Sequence, residues 1–409
     1  RPTMVHTMAP KPATTVPMVE LFAGVGSLSH YLRGTFHPIA AFDSDADARA
    51  VMSAHFPQCT MATDFASVMA AGDGDGTFLG AAKGARVAFA SPPCSQTSVV
   101  NKQRDESSYA ARLCIYMLQV LAVAPMEVLV FESTPAIMSA LGGRLMAEMF
   151  AAMAALPVPY VPTILHIDPL RLGSSQGRTR VLTIMTRRDV FESKGAFMPP
   201  LSYQVSATPP PLRSLLDVHV ASPKCGDQTD GWVPTGTVHR DGYVGSRLDY
   251  TREVNGKTIR CYGVDGTCPT VTSDDIWIAD DSSGHLCIRP MTTSELGRAQ
   301  GMPEELVRSM PHALAKRMIG RATERRTMQA IGEYLRSYIG DKVPDMPVGS
   351  PQAAMPAAPP ATTPTDQPSP QAEQPLSPPR ARAEEVKEHK AAQSPLVPQL
   401  GYTRPATGR

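Results

Sequence analysis

Residues 17–33 read PMVELFAGVGSLSHYLR, and this stretch decides the fold. Residues 17–22 are apolar apart from Glu20, the pattern of a strand buried within a sheet. Gly24 and Gly26 bracket a tight turn, and residues 27–33 have the spacing of a helix. A strand, a glycine turn and a helix in that order open a βαβ unit. The alternation continues outward. Residues 39–43 read as a second strand, 46–55 as a helix, 86–90 as a third strand, 109–124 as a long helix and 127–131 as a fourth strand. Residues 142–156 are helical, 160–168 extended and 180–186 a further strand. Such alternation predicts a doubly wound α/β sheet with ligands at the carboxyl ends of its strands.

Around this unit the composition divides the chain. A leader, 1–16, is rich in Pro and Thr; residues 17–198 form the α/β region; 199–260 form a small loop-rich region; 261–340 return to helical spacing, notably at 292–300 and 312–337. The tail, 341–409, holds 15 of the chain's 40 prolines and has Tyr402 as its one aromatic residue, so it cannot bury enough apolar surface to order itself. With 409 residues and 42% apolar content the remainder is large enough for a real core. No apolar run approaches the ~20 residues needed to cross a bilayer, which predicts a soluble, intracellular protein. The seven cysteines are scattered and lack a C-x-x-C pair, which predicts reduced thiols and no metal site. Arg1 in place of Met predicts a fragment or a processed chain.

Four stretches carry chemistry, each at a predicted strand end. Glycines in Glu20-Leu-Phe22-Ala-Gly24-Val-Gly26 let a ligand approach the backbone, and Asp43 could take the hydroxyls of a ribose. A glycine pair is as often mere turn chemistry. Asp64 suits an exocyclic amine, or equally a helix N-cap. In Ser91-Pro92-Pro93-Cys94, two prolines hold the thiol in place, as a nucleophile requires, and Lys102, Arg104 and Arg112 would favour its thiolate. Glu132 ends an apolar strand, where a partly desolvated carboxyl is suited to proton donation. Its bland alternative is a cap formed with Ser133 or Thr134. In Gln176-Gly-Arg178-Thr-Arg180, strand alternation puts three polar side chains on one face, where two guanidiniums can clamp a carbonyl and a phosphate.

In this order the motifs resemble those of the cytosine C5 DNA methyltransferases. Cys268-Pro-Thr-Val-Thr272, the stretch IRPMTTSELGRAQGMP from Ile288 to Pro303, and Leu212-Arg-Ser-Leu-Leu-Asp217 are similar to segments flanking that family's target-recognition domain. The resemblance implies a Rossmann-like, class I methyltransferase with a doubly wound mixed sheet, residues 199–260 as a small recognition domain, and S-adenosylmethionine as cofactor. Phe22, Gly24, Gly26 and Pro92 would lie beside the cofactor, with Asp43 on its ribose and Asp64 on its adenine. Cys94 would attack C6 of a flipped cytosine in double-stranded DNA, Glu132 would hold N3, Arg180 the base O2, and Arg178 would support the site. Three positions depart from the family pattern. Cys94 is followed by Ser-Gln-Thr-Ser98, Glu132 by Ser133-Thr134 in place of Asn-Val, and Gly320 by Arg321 in place of Asn.

A tRNA cytosine methyltransferase on the same scaffold and a catalytically weak DNA-binding paralogue are the alternatives. A monomer is expected, nuclear if the source is eukaryotic. The net charge of +1 excludes binding by bulk basicity. It predicts instead a local cleft, drawn from Arg178, Arg180, Arg187 and Arg188 and from Lys316, Arg317, Arg321, Arg325 and Arg326.

Overall fold

Seven strands form the main sheet: β1 (Val16–Leu21), β2 (Phe36–Phe42), β3 (Thr60–Ala62), β4 (Val87–Ala90), β5 (Val128–Ser133), β6 (Tyr160–Ile167) and β7 (Arg180–Arg187). Their order is β3-β2-β1-β4-β5-β7-β6. Strands β1 to β5 pair in parallel, whereas β7 is antiparallel to both β5 and β6, so the sheet is mixed. The computed structural model describes residues 15–64, 68, 74, 76–93, 113–115, 117–199, 208–217, 231–235, 247–280 and 286–340, all within one unit of the chain, residues 1–353. Cys94, nearly all of the leader and the Pro-rich tail lie outside the described residues.

Ten helices accompany the sheet among the described residues: α1 (Ser27–Tyr31), α2 (Ala46–His55), α3 (Phe78–Ala82), α4 (Leu118–Val123), α5 (Arg144–Ala154), α6 (Arg188–Lys194), α7 (Thr293–Gln300), α8 (Glu304–Arg308), α9 (His312–Arg321) and α10 (Arg325–Ile339). The inner strands are apolar on both faces because both are covered. Val19, Leu21, Ala88, Ala90, Leu129 and Phe131 pack with α3, α4 and α5, while Met18, Val87, Phe89, Val128 and Val130 pack with α1 and α10. This is the doubly wound arrangement read from the sequence. Residues Pro135–Ala154 are long and apolar enough to cross a membrane by composition. In the fold they divide at non-helical Ala140, Leu141 and Gly142, and bury Ile137, Leu145, Met149 and Met153 in the core under the sheet.

The structure adds a second sheet, which begins in the loop-rich region and takes its last strands from residues after 260, where helical spacing was expected to resume. It takes β8 (Val233–Pro234), β9 (Arg247–Val254), β10 (Lys257–Gly263), β11 (Trp277–Asp280) and β12 (Cys287–Pro290), in the order β12-β11-β10-β9-β8. Strands β9 and β10 are a hairpin turning at Asn255-Gly256, both with positive φ, as a two-residue type I′ turn requires. Helices α7, α8 and α9 share a third apolar cluster with this sheet's Ile278 and with Val25 and Ala48 of the first βαβ unit. The helical spacing of 312–337 is interrupted at residues 322–324, where the Glu324 carboxylate accepts from the amides of Arg326 and Thr327 and starts α10 afresh. Cys287 is disulfide-bonded, which corrects the expectation of reduced thiols throughout.

Candidate active site

Strand order reverses between β1 and β4, whose crossover connections leave toward opposite edges of the sheet. At such a switch point a crevice opens beyond the carboxyl ends of the strands. Register fixes what stands there. Leu21 pairs with Ala90, Ala90 with Phe131, and Glu132 with Leu182. Phe22, Ser91 and Glu132 are therefore the next residues on three adjacent strands, which spans roughly 10 Å from Phe22 to Glu132 at the usual strand spacing.

The turn after β1 is unusual in its backbone. Phe22, Gly24 and Gly26 have φ of 61°, 56° and 76°. A bulky residue with positive φ is strained by ~1–3 kcal/mol, a cost found chiefly at functional sites. The Phe22 ring meets Phe42 edge-on, with centroids 5.2 Å apart. A Cβ on Gly26 would come within 3.2 Å of Met52 and Phe56, whereas one on Gly24 would meet nothing nearer than Met318 Sδ at 3.9 Å. Gly26 is thus closed off by packing and Gly24 faces open space. The amide of Gly24 donates to Asp43 Oδ2 at 2.7 Å, and the amide of Asp45 donates to Asp43 Oδ1 at 2.8 Å. The half-buried Asp43 carboxylate retains lone pairs for further donors. Asp64 is exposed just past β3, the strand beside β2, and accepts from the Thr63 hydroxyl at 3.1 Å. Pro92 is half-buried just past β4. Open backbone at Gly24, an aromatic ring and two carboxylates suit a nucleoside bearing an amino-acid chain, and so fit S-adenosylmethionine.

The other half of the crevice holds an ion pair. Glu132 Oε1 lies 2.7 Å from Arg180 Nε, each side chain 11% exposed. The antiparallel course of β7 places its first residue beside the last residues of β5. Gln176 and Arg178 act differently. Gln176 accepts from the Val271 amide and donates to the Ala299 carbonyl, while Arg178 donates to the carbonyls of Val271 (2.8 Å) and Ala322 (3.1 Å). These two side chains fasten the Cys268–Thr272 stretch and helices α7 and α9 to the main sheet, and Arg180 is the member of the run that reaches Glu132. Thr134 stands at the N-cap of the 3-10 helix Pro135–Gly143 without a side-chain cap bond, so capping does not account for this motif.

Arg187 and Arg188 stand apart from Arg178 and Arg180. Arg180 and Arg187 sit at opposite ends of β7, and Arg187 is paired with Asp189 at 2.7 Å. Arg188 pairs with Glu192, and Lys316 with Asp275. Local sequence density overstated local charge because a strand separates its two ends.

Sequence reading also assigned no role to Glu20, although a carboxyl within an apolar strand was a signal. The Ser29 hydroxyl donates to it, and burial pushes it up to about 8, with nearby Asp43 acting in the same direction. The fold therefore holds the neutral acid. Its contribution is fully present below about pH 4.5 and is lost as pH rises through about 8. Stability should fall by roughly 2 kcal/mol between pH 6 and pH 8 from this group alone. Thermal melts across that range should show a shallower fall in the Glu20→Gln variant, and equal slopes would mean that Glu20 is ionised throughout.

The sequence pattern of the C-5 cytosine-specific DNA methylase family matches residues 16–337. Among solved structures, the methyltransferase EhMeth of Entamoeba histolytica superposes with a TM-score of 0.53 at 14% identity, over 80% of this chain and 100% of its own. A prophage-encoded putative DNA modification methyltransferase from E. coli gives 0.53 at 16%, over 80% and 99%. A DNMT2 variant from Spodoptera frugiperda gives 0.51 at 12%, over 80% and 100%. At these identities the likeness is one of fold. None of the curated proteins compared with the chain matches it.

Proposed function

The chain belongs to the C-5 cytosine-specific DNA methylase family, and we propose that it methylates C5 of cytosine in double-stranded DNA through a covalent Cys94 adduct. The observation that carries this reading is the buried Glu132–Arg180 pair at the same level of the sheet as the glycine turn, with Ser91-Pro92-Pro93 leaving the strand between them.

Carbon 5 of cytosine is a poor nucleophile. Addition of the Cys94 thiolate to C6 forms a C–S bond and moves the ring's electron pair toward C5. Glu132 stabilises that shift by holding a proton at N3, and Arg180 orients Glu132 while donating to the base O2. S-adenosylmethionine, held by Gly24, Asp43 and Asp64 with Phe22 and Pro92 beside it, supplies an electrophilic methyl group. Once C5 carries the methyl group, loss of its proton to solvent water returns the electron pair, breaks the C6–S bond and frees Cys94 as thiolate. The target carbon is stacked inside a duplex, so the base must be flipped out. Residues 199–260 supply base readout in this reading, and the β9–β10 hairpin presents Lys257, Thr258 and Arg260 to solvent there.

Incubation with labelled S-adenosylmethionine and either duplex DNA or tRNA tests the substrate. Label on DNA is the expected result, and label on tRNA alone would move the protein to the other substrate. Duplex carrying 5-fluorocytosine should trap the wild-type protein covalently but not Cys94→Ala. Absence of label on either nucleic acid, together with absence of cofactor binding, would sink the enzymatic reading.

A further inference from the structure

Just past the carboxyl end of β5 stands a hydroxyl without a partner among the described residues. Thr134 follows Ser133 in extended backbone, with φ −76° and ψ 155°, and so presents its side chain to the same face as Glu132. Its Oγ1 is buried, accepts and donates no hydrogen bond, and does not cap the 3-10 helix that follows. Thr183 also has an unpartnered hydroxyl, but that one lies mid-strand in β7, fully inside the core. A buried hydroxyl left unpaired is costly, and one beside a crevice is accounted for by a group that arrives from outside.

Register says where this hydroxyl stands. Ser133 pairs with Val181, so one step further Thr134 lies opposite Arg180. At the rise of a strand it is roughly 7 Å beyond Glu132. In cytosine, O2 lies between N3 and the ring nitrogen that bears the sugar. A base with N3 on Glu132 and O2 on Arg180 therefore runs its sugar and phosphate toward Thr134. Arg178, the other guanidinium of the run, is taken up by the carbonyls of Val271 and Ala322, which leaves that phosphate to another donor. Threonine hydroxyls are common donors to phosphate oxygens in nucleic-acid complexes.

We infer that the Thr134 hydroxyl, which stands where the family pattern has Val, donates to a phosphodiester oxygen of the flipped nucleotide and so helps to hold the base in the crevice. This rests on the DNA reading above and adds a substrate contact at a position where the family pattern offers no donor. The oxygen is closed to solvent in the free protein, so the contact forms as the nucleotide enters. The competing role is that of a core side chain whose hydroxyl DNA never meets.

Equilibrium binding of the full chain to a duplex that it methylates, with S-adenosylhomocysteine present, separates the two. Thr134→Val keeps the shape of the side chain and should weaken the native duplex about tenfold, as loss of a charge-assisted bond does, with S-adenosylhomocysteine affinity kept and the melting temperature not lowered. Thr134→Ser retains the hydroxyl and should stay within about threefold of wild type. A methylphosphonate in place of the phosphate on the 5′ or the 3′ side of the target cytosine removes the anionic oxygen. With one of these two duplexes, Thr134→Val and the wild type should bind within about twofold of each other. Equal weakening for all three duplexes, weakening for none, or a matching loss of S-adenosylhomocysteine affinity would overturn the inference. So would a lower melting temperature in Thr134→Val, because the hydroxyl would then have a partner in the free protein. A wild-type protein that methylates no duplex would instead remove the DNA reading beneath it.

Discussion

Replacing Glu132 with Gln is expected to slow methyl transfer by about 10²- to 10⁴-fold, the usual worth of a positioned proton-transfer group, while S-adenosylhomocysteine affinity is retained. The amide matches the carboxyl in size and keeps an oxygen toward Arg180, so the crevice keeps its shape. What it loses is a group that can carry a proton at N3. The Arg180 guanidinium would be left buried beside a neutral partner, which makes some loss of thermal stability part of the same result. Arg180→Lys should fall between wild type and Glu132→Gln, because an ammonium keeps the charge but not the planar fork that fixes the carboxylate. Single-turnover transfer of labelled methyl, measured with cofactor binding on the same preparations, separates chemistry from binding. A change of less than about fivefold, or a matching loss of cofactor affinity, would remove Glu132 from the chemical step.

The main sheet was legible because its inner strands are covered on both faces. Residues such as 87–90 and 128–131 read as unbroken apolar runs, and the glycines between strand and helix mark the turns. Helix α2 begins and ends where its spacing and the Asp45 cap place it. The second sheet was harder to see. RLDYTREV and KTIRCYG interleave charged and apolar residues because one end of the hairpin faces water, so period-2 alternation is weak. The Asn255-Gly256 turn between them was the available signal, and it identifies the hairpin better than the strands do. In the site, Gly24 meets Asp43 and Glu132 meets Arg180, pairings that strand order and register bring about. The role of Arg178 was not legible, since its acceptors, Val271 and Ala322, lie 93 and 144 residues away in the chain.

Arg86→Ala is expected to cost ~3–5 kcal/mol of stability, on the order of 10 °C in Tm, without changing the rate of methyl transfer at temperatures where the variant is folded. Strand β5 has an acid at each end, Glu127 just before it and Glu132 within its last turn of sequence, and each meets an arginine. Arg86 Nε is 2.5 Å from Glu127 Oε1, with side chains 9% and 3% exposed, a pair as buried as that of Glu132 with Arg180. Composition and burial do not tell the two pairs apart. Direction does, because Arg86 and Glu127 precede β4 and β5 and so lie at the amino ends of parallel strands, away from the crevice. There Arg86 also donates to the carbonyls of Ile339 and Gly340, tying the end of α10 to the sheet, and Lys194 shares the Ile339 carbonyl. Truncating Arg86 strands the Glu127 charge in the core, whereas Arg86→Met with Glu127→Leu removes both charges and should regain most of the lost stability. Lys194 would still serve the helix end in that double variant. Thermal melts beside methyl-transfer rates for Arg86→Ala, the double variant and Glu132→Gln would test the division. A fall in transfer rate for folded Arg86→Ala would show that the two ends of β5 are coupled, and the assignment of one end to stability and the other to chemistry would fail.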